Sequence, residues 1–176
     1  MSQPFTLVFA AFSGTGKTTL LEQVVGHLAQ ANYRVGVIKH SHHDLELDKP
    51  GKDSYRLRKA GAVQGILVTP QRSVVFHEQP FADNDLRSQL ALLNTAQLDM
   101  VLVEGYRYSD WPKIELHRTE LGHPFLFVSD PAVIALAWNC QSDEITLPQL
   151  DINDAASIAR FVEKQYADYQ KAQSQP

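Results

Sequence analysis

A turn with two glycines, Ala11-Phe12-Ser13-Gly14-Thr15-Gly16-Lys17-Thr18-Thr19, lies between an apolar run and a helical pattern and constrains the fold more than any other stretch of this chain. The run from Phe5 to Ala10 reads as a buried strand. Leu20, Val24 and Leu28 fall one turn apart, as do Leu21, Val25 and Ala29, which predicts a helix opening directly after the glycines. A strand that turns at once into a helix aims the backbone N–H groups of the turn and of the helix N-terminus at one place, and that suits an anion. Gly14 and Gly16 allow backbone shapes closed to other residues and let phosphate oxygens approach closely. In this arrangement Lys17 reaches the terminal phosphates and the Thr18 hydroxyl ligates Mg2+. The candidate nucleotide-binding residues here are Ser13, Gly14, Thr15, Gly16, Lys17, Thr18 and Thr19. The general pattern G-x-x-x-x-G-K-[ST] is met except at its first position, where Ala11 stands.

With 176 residues and 44% apolar composition, the chain reads as a single nucleotide-binding domain over residues 1–169 followed by a polar, frayed tail over 170–176. A net charge of −4 leaves no global basic field, so no nucleic-acid partner is expected. Cys140 is the only cysteine; an internal disulfide is excluded, which suits a reducing cytoplasm. The opening Met-Ser-Gln-Pro lacks the positive charge of a secretory leader, and the apolar run behind it is too short to span a bilayer. A cytoplasmic location without membrane attachment is the expectation.

Further along, Arg34–Lys39 reads as a second strand, and a polar stretch from His40 to Lys52 ends on the turn signal Pro50-Gly51. Asp53 or Ser54 is placed to cap a short helix running to Ala60. Gln64–Thr69 and Arg72–His77 are strand-like and joined at Pro70-Gln71, a predicted hairpin. Leu86, Leu90 and Leu93 mark another helix, capped by Asp83 or Asn84. Asp99–Glu104, Lys113–Arg118 and Val133–Trp138 read as strands, with Ile114 and Leu116 sharing one face of the second. The last helix starts near Asp154 and buries Ile158, Phe161, Val162, Tyr166 and Tyr169. Strands alternating with helices around the first strand–turn–helix unit predict a three-layer α/β fold with a mostly parallel, mixed sheet and an antiparallel edge hairpin. Such a hairpin, or the strand Lys113–Arg118, offers an edge for a second copy of the chain.

Phosphate-binding turns of this kind need a carboxylate near the Mg2+, usually at the end of a neighbouring buried strand. Glu104 closes the apolar run Met100–Val103, and Gly105 leaves room beside it for a ligand. The polar segment from Lys39 to Ser54 holds His40, His42 and His43, three of the seven histidines. It reads as a switch-like loop that contacts phosphate, as a solvated loop, or as a metal site. Within it, Asp48-Lys49-Pro50-Gly51 has the D-x-x-G form, making Asp48 a further metal candidate. Arg56, Arg58 and Lys59 either clamp an anion or form a wet basic face, and Arg72 is a similar candidate; Arg56 and Arg72 are the catalytic candidates. Tyr106, Tyr108 and Trp111 after Glu104 stack on a base, meet a partner or pack at the sheet edge.

Taken together, several blocks resemble the molybdopterin-guanine dinucleotide biosynthesis adaptor family, MobB. The resemblance is carried by Phe9–Leu20, including Ala11, and by Ile38-Lys39-His40-Ser41-His42-His43-Asp44. It continues through Asp48–Tyr55, Leu57–Ala62, Leu102-Val103-Glu104-Gly105 and Leu150-Asp151-Ile152-Asn153-Asp154. It implies a dimeric, GTP-binding protein with at most slow hydrolysis, assisting the molybdenum cofactor guanylyltransferase and related cofactor-maturation proteins. It implies a second nucleotide-contact loop at Gly51, Lys52, Asp53 and Ser54, and Glu104 as the Mg2+ carboxylate, holding the ion directly or through its bound water. The guanine-reading pattern N-K-x-D is absent, since no Asn is followed by Asp three residues on, so guanine preference rests on the resemblance alone. A small-molecule kinase and a metal-insertion GTPase are the rival readings of a short chain that begins this way.

Overall fold

The computed structural model describes residues 4–41, 48–78 and 85–174. In chain order the elements are β1 (Phe5–Ala11), α1 (Lys17–Gln30), β2 (Val35–Lys39), α2 (Asp53–Lys59), β3 (Gln64–Val68) and β4 (Ser73–His77). There follow α3 (Leu86–Leu90), β5 (Met100–Glu104), β6 (Lys113–His117), β7 (Val133–Trp138), β8 (Gln149–Asp151) and α4 (Ala155–Gln173). The chain divides into two compact units, Met1–His40 with Leu86–Pro176, and Ser41–Asp85.

The larger unit is built on a six-stranded sheet in the order β2-β5-β1-β6-β7-β8, and every pairing in it is parallel. Parallel sheets are covered on both faces, which is why Phe5 to Ala10 are all buried. Alternate residues of β1 feed two different layers. Phe5, Leu7 and Phe9 pack with Leu20, Leu21, Val24 and Leu28 of α1 and with Ile158 and Val162 of α4. Val8 and Ala10 pack with Val101, Val103, Leu86, Leu90 and Tyr106 on the other side. The three-layer α/β reading holds.

α4 starts where the sequence places it: the Asp154 carboxylate accepts the Ser157 backbone N–H at 2.9 Å, a cap of the kind that contributes about 1 kcal/mol. The helix continues through Gln173, past the point at which the sequence reads as a polar tail. Strand β8, three residues long and paired to β7, is not foreseen in the sequence. Nor is the interior of β6, all five residues of which are buried. Its polar face is satisfied internally: Lys113 Nζ donates to the carbonyls of Arg107 and Ser109 and to Asp130 Oδ2, the last at 2.6 Å. Glu115 accepts the backbone N–H groups of Leu126 and Phe127 at 2.8 and 2.9 Å. Burial pushes the Glu115 carboxyl above its ordinary pKa, opposed by those two N–H groups, and burial pushes His117 down. Because β6 is paired to β1 on one side and β7 on the other, it offers no edge, and the expectation of Lys113–Arg118 as an exposed pairing strand is corrected.

In the smaller unit the expected hairpin is present as a two-stranded antiparallel sheet of its own, with Ile66 opposite Val75 and Val68 opposite Ser73. Its turn is closed by Thr69, whose hydroxyl donates to the Arg72 carbonyl at 2.9 Å and accepts the Arg72 N–H at 3.1 Å. α2 begins one residue earlier than a cap at Asp53 requires. Lys52 occupies the cap position, and Asp53 lies in the first turn, where a negative charge is favoured by the helix dipole. The expected caps Asp83 and Asn84 of α3 lie outside the described residues.

Candidate functional site

All six strands of the main sheet end on the same side, and the residues just beyond those ends form the site. β1 leaves the sheet at Ala11 and re-enters helix at Lys17 through Gly14 and Gly16, whose φ values are +84° and +81°. Side chains rarely adopt that left-handed region, so glycine is required for the turn. No side chain caps the first turn of α1, which leaves its N–H groups facing outward beside exposed Ser13, Gly14, Gly16, Thr18 and Thr19. Thr15 is buried, and its hydroxyl donates to the Phe12 carbonyl at 3.1 Å, which tightens the turn from inside.

Strand order places Glu104, the last residue of β5, beside this turn, and its carboxylate is the meeting point of the site. Thr18 Oγ1 donates to Glu104 Oε1 at 2.8 Å. Lys17 Nζ stands 4.0 Å from the same oxygen. Lys39 Nζ, from the end of β2, stands 3.4 Å from it and 3.4 Å from Thr18 Oγ1. A hydroxyl and a carboxylate in contact are hard oxygen donors of the kind Mg2+ takes, with nucleotide oxygens and waters completing an octahedral shell. The residues therefore fit the ion. Among the described residues no three His, Cys, Asp or Glu side chains converge as a self-contained metal cage.

Gly105 has a different job from the one its position after Glu104 suggests. Its φ is +107°, and a Cβ there would stand 2.9 Å from the Cβ of His40. His40 donates its backbone N–H to the Glu104 carbonyl at 2.8 Å, and its ring packs on Tyr106 at 4.6 Å. The space beside Gly105 is thus filled by the end of β2, not left for a ligand. Of the three aromatics after Glu104, Tyr106 is core, Trp111 packs against that core, and Tyr108 is exposed beneath the Arg107 guanidinium.

Two arginines missed in the sequence hold the turn. Arg118, just past β6, donates Nε to the Thr15 carbonyl at 3.1 Å and Nη2 to Asn153 Oδ1 at 3.2 Å. Arg107 lies 4.3 Å over the Phe12 ring, and His123 stacks on that ring at 4.4 Å. For Arg118 the signal is the rule that residues at or just past the C-terminal ends of parallel strands face the ligand; applied to β2 and β6 it selects Lys39 and Arg118. Asn153, the acceptor of Arg118, also lines a depression of about 330 Å3 together with Trp138, Asn139, Cys140, Gln141 and Asp151.

The remaining candidates belong to the smaller unit. Asp48 is nearly buried and pairs with Arg58 Nε at 3.7 Å. Arg58 also pairs with Glu78 and lies 4.6 Å over the Phe76 ring. Arg58 thus pins this unit together, while Arg56 pairs with Asp53 at 3.9 Å in solvent. Gly51 has φ +87° in the turn before α2, Lys52, Asp53 and Arg72 are exposed, and Ser54 is half-buried. His42 and His43, two of the three histidines of the metal reading, lie outside the described residues.

Residues 6–139 match the family model described as molybdopterin guanine dinucleotide synthesis protein B. The chain belongs to that family. It is 46% identical over 158 residues to the molybdopterin-guanine dinucleotide biosynthesis adapter protein of Escherichia coli K12, covering 89% of this chain and 90% of that one. It is 42% identical over 159 residues to the protein of the same description from Haemophilus influenzae, covering 89% and 86%. A crystal structure of molybdopterin-guanine biosynthesis protein B superposes with a TM-score of 0.69 at 20% identity, covering 92% of this chain and 99% of that one, and shows the same fold.

Proposed function

We propose that this chain is the adapter of molybdopterin-guanine dinucleotide biosynthesis in its host, and that it works by binding GTP with Mg2+ at the turn after β1. The single observation that supports this most directly is the convergence of Thr18, Lys17 and Lys39 on one oxygen of Glu104 beside an uncapped helix N-terminus. The turn's N–H groups and Lys17 hold the β- and γ-phosphates, and Ser13 through Thr19 line them. Thr18 and Glu104 hold the Mg2+, whose role is to neutralise phosphate charge. The base lies in the depression lined by Asn153, which the Arg118 guanidinium ties to the phosphate turn. Asp151 supplies a carboxylate there, which complements the adjacent N–H donors on the Watson–Crick edge of guanine and not the edge of adenine.

The protein acts as a homodimer in the cytoplasm, and its partner is the guanylyltransferase that attaches GMP to the molybdopterin, with related maturation proteins. Gly51–Ser54 forms a second loop that responds to the nucleotide. Neither Arg56 nor Arg72 is committed to the chemistry, and hydrolysis by the isolated protein is slow. Calorimetry with GTP and ATP, each with and without Mg2+, tests the reading. Mg2+-dependent binding that favours GTP supports it, and no binding of either nucleotide overturns it.

A further inference from the structure

Lys39 stands near Glu104 in a specific geometry. It is the last residue of β2, in register with Glu104 across a parallel pair, so its backbone position is set by the sheet. The next residue is held as well, through the His40 N–H to the Glu104 carbonyl and the close approach to Gly105. From that anchored point the side chain reaches back to place its ammonium 3.4 Å from both Glu104 Oε1 and Thr18 Oγ1. Those are the two protein oxygens that fit Mg2+. The ion needs oxygens at about 2.0–2.1 Å and keeps several waters around it. An ammonium 3.4 Å from both donors competes for the same carboxylate charge and hydroxyl oxygen that the ion needs. Lys17 stands 4.0 Å from the same oxygen, so Lys39 is the nearer of its two cations.

We propose that Lys39 is the resident counter-ion of the divalent position: it occupies the Glu104–Thr18 pair when the metal is absent and hands its charge to the terminal phosphate when Mg2+ enters. This rests on the nucleotide-binding reading above. The side chain is suited to the exchange. It is 53% exposed against 19% for Lys17, so it moves without giving up packing, and its four-carbon stem rotates freely. Whether Lys39 faces the metal pair or the phosphate is therefore a local difference between metal-free and metal-loaded states.

The test is Lys39→Gln, read by titrating a fluorescent GTP analogue with EDTA present and across a series of Mg2+ concentrations. Two changes of opposite sign are expected. Affinity in EDTA falls by about tenfold, because without its counter-ion the Glu104 carboxylate repels the phosphates. The Mg2+ concentration for half-maximal binding also falls, by several-fold, because the competing cation is gone. Lys39→Arg keeps most of the metal-free affinity, which a merely structural role does not explain. An unchanged Mg2+ concentration for half-maximal binding, or an unchanged affinity in EDTA, overturns the assignment. Wild type and Lys17→Ala measured alongside separate the two levels: if neither binds the analogue, the nucleotide reading falls and this inference with it. If binding depends on Lys17 and its Mg2+ response ignores Lys39, only the Lys39 assignment falls. A matching melting temperature confirms that the variant is folded, as expected for a half-exposed side chain at a sheet edge.

Discussion

The Thr18 hydroxyl donates to Oε1 of Glu104 at 2.8 Å, although 86 residues separate them along the chain. The contact exists because β5 returns beside β1 in parallel, bringing the end of one strand to the helix that follows the other. A carboxylate 7% exposed at a strand end is costly to bury without partners, and here every partner identified is a donor or a cation that nucleotide chemistry uses.

Glu104→Gln is expected to keep the fold and to remove the Mg2+-dependent part of GTP affinity. The amide is nearly the same shape, still accepts from Thr18, and lacks the charge that attracts the ion. Calorimetry is expected to give a drop of about tenfold or more with Mg2+ and a smaller change in EDTA. Equal losses under both conditions refute the metal role.

Lys17→Ala should cut nucleotide affinity by at least about tenfold while barely moving the melting temperature. Lys17 is the first residue of α1 and points at the site rather than the core, which is formed by Leu20, Leu21, Val24 and Leu28. A folded variant with wild-type affinity counts against the phosphate-binding turn.

Gly105→Ala is predicted to destabilise the protein by about 1–3 kcal/mol. The new Cβ meets the His40 Cβ at 2.9 Å, and φ +107° disfavours any side chain. Relief requires the end of β2 to shift, which carries Lys39 away from Glu104. Denaturant unfolding measures the loss, and a shift within experimental error speaks against tight packing here.

What the sequence made readable was local. The β1–turn–α1 unit, the Asp154 cap and the Thr69–Arg72 turn depend on neighbours in the chain, so periodicity and turn residues reveal them. What stayed hidden depends on partners far away. Lys113, Glu115 and His117 alternate with apolar residues, yet they are buried, with Arg107, Ser109, Leu126 and Phe127 bringing backbone groups to meet two of them. The use of Gly105 by His40 is invisible for the same reason. Strand order decides them, and order is not written in any one segment.

The hairpin predicts its own oligomeric test. Ile66, Val68 and Val75 share one face of β3–β4 and are 67%, 70% and 57% exposed. A lone two-stranded sheet with such a face is marginal in water, and a symmetric second copy covers it. Light scattering at micromolar concentration is expected to give a dimer mass, and Ile66→Asp with Val68→Asp a monomer mass. A monomeric wild type refutes the hairpin as the interface.

Hydrolysis of GTP by the isolated protein should be slow, far below the ~1–100 s⁻¹ of phosphoryl-transferring kinases. Rapid turnover needs an oriented water and a positive group on the charge that develops in the transition state. Lys52 follows Gly51 where many GTPases carry a water-orienting glutamine. Near the phosphate turn, the Arg118 guanidinium is spent on the Thr15 carbonyl and Asn153, and that of Arg107 on the Phe12 ring. Both hold the turn in shape. Arg118→Ala is accordingly expected to weaken binding without changing the single-turnover rate of bound GTP, and Arg56→Ala and Arg72→Ala to leave both nearly unchanged. A wild-type rate above about 1 s⁻¹ without a partner would reverse this picture. So would a large rate loss in any of the three arginine variants with binding intact. Either result would mark the chain as a self-sufficient enzyme rather than a nucleotide-loaded adapter that waits for its partner.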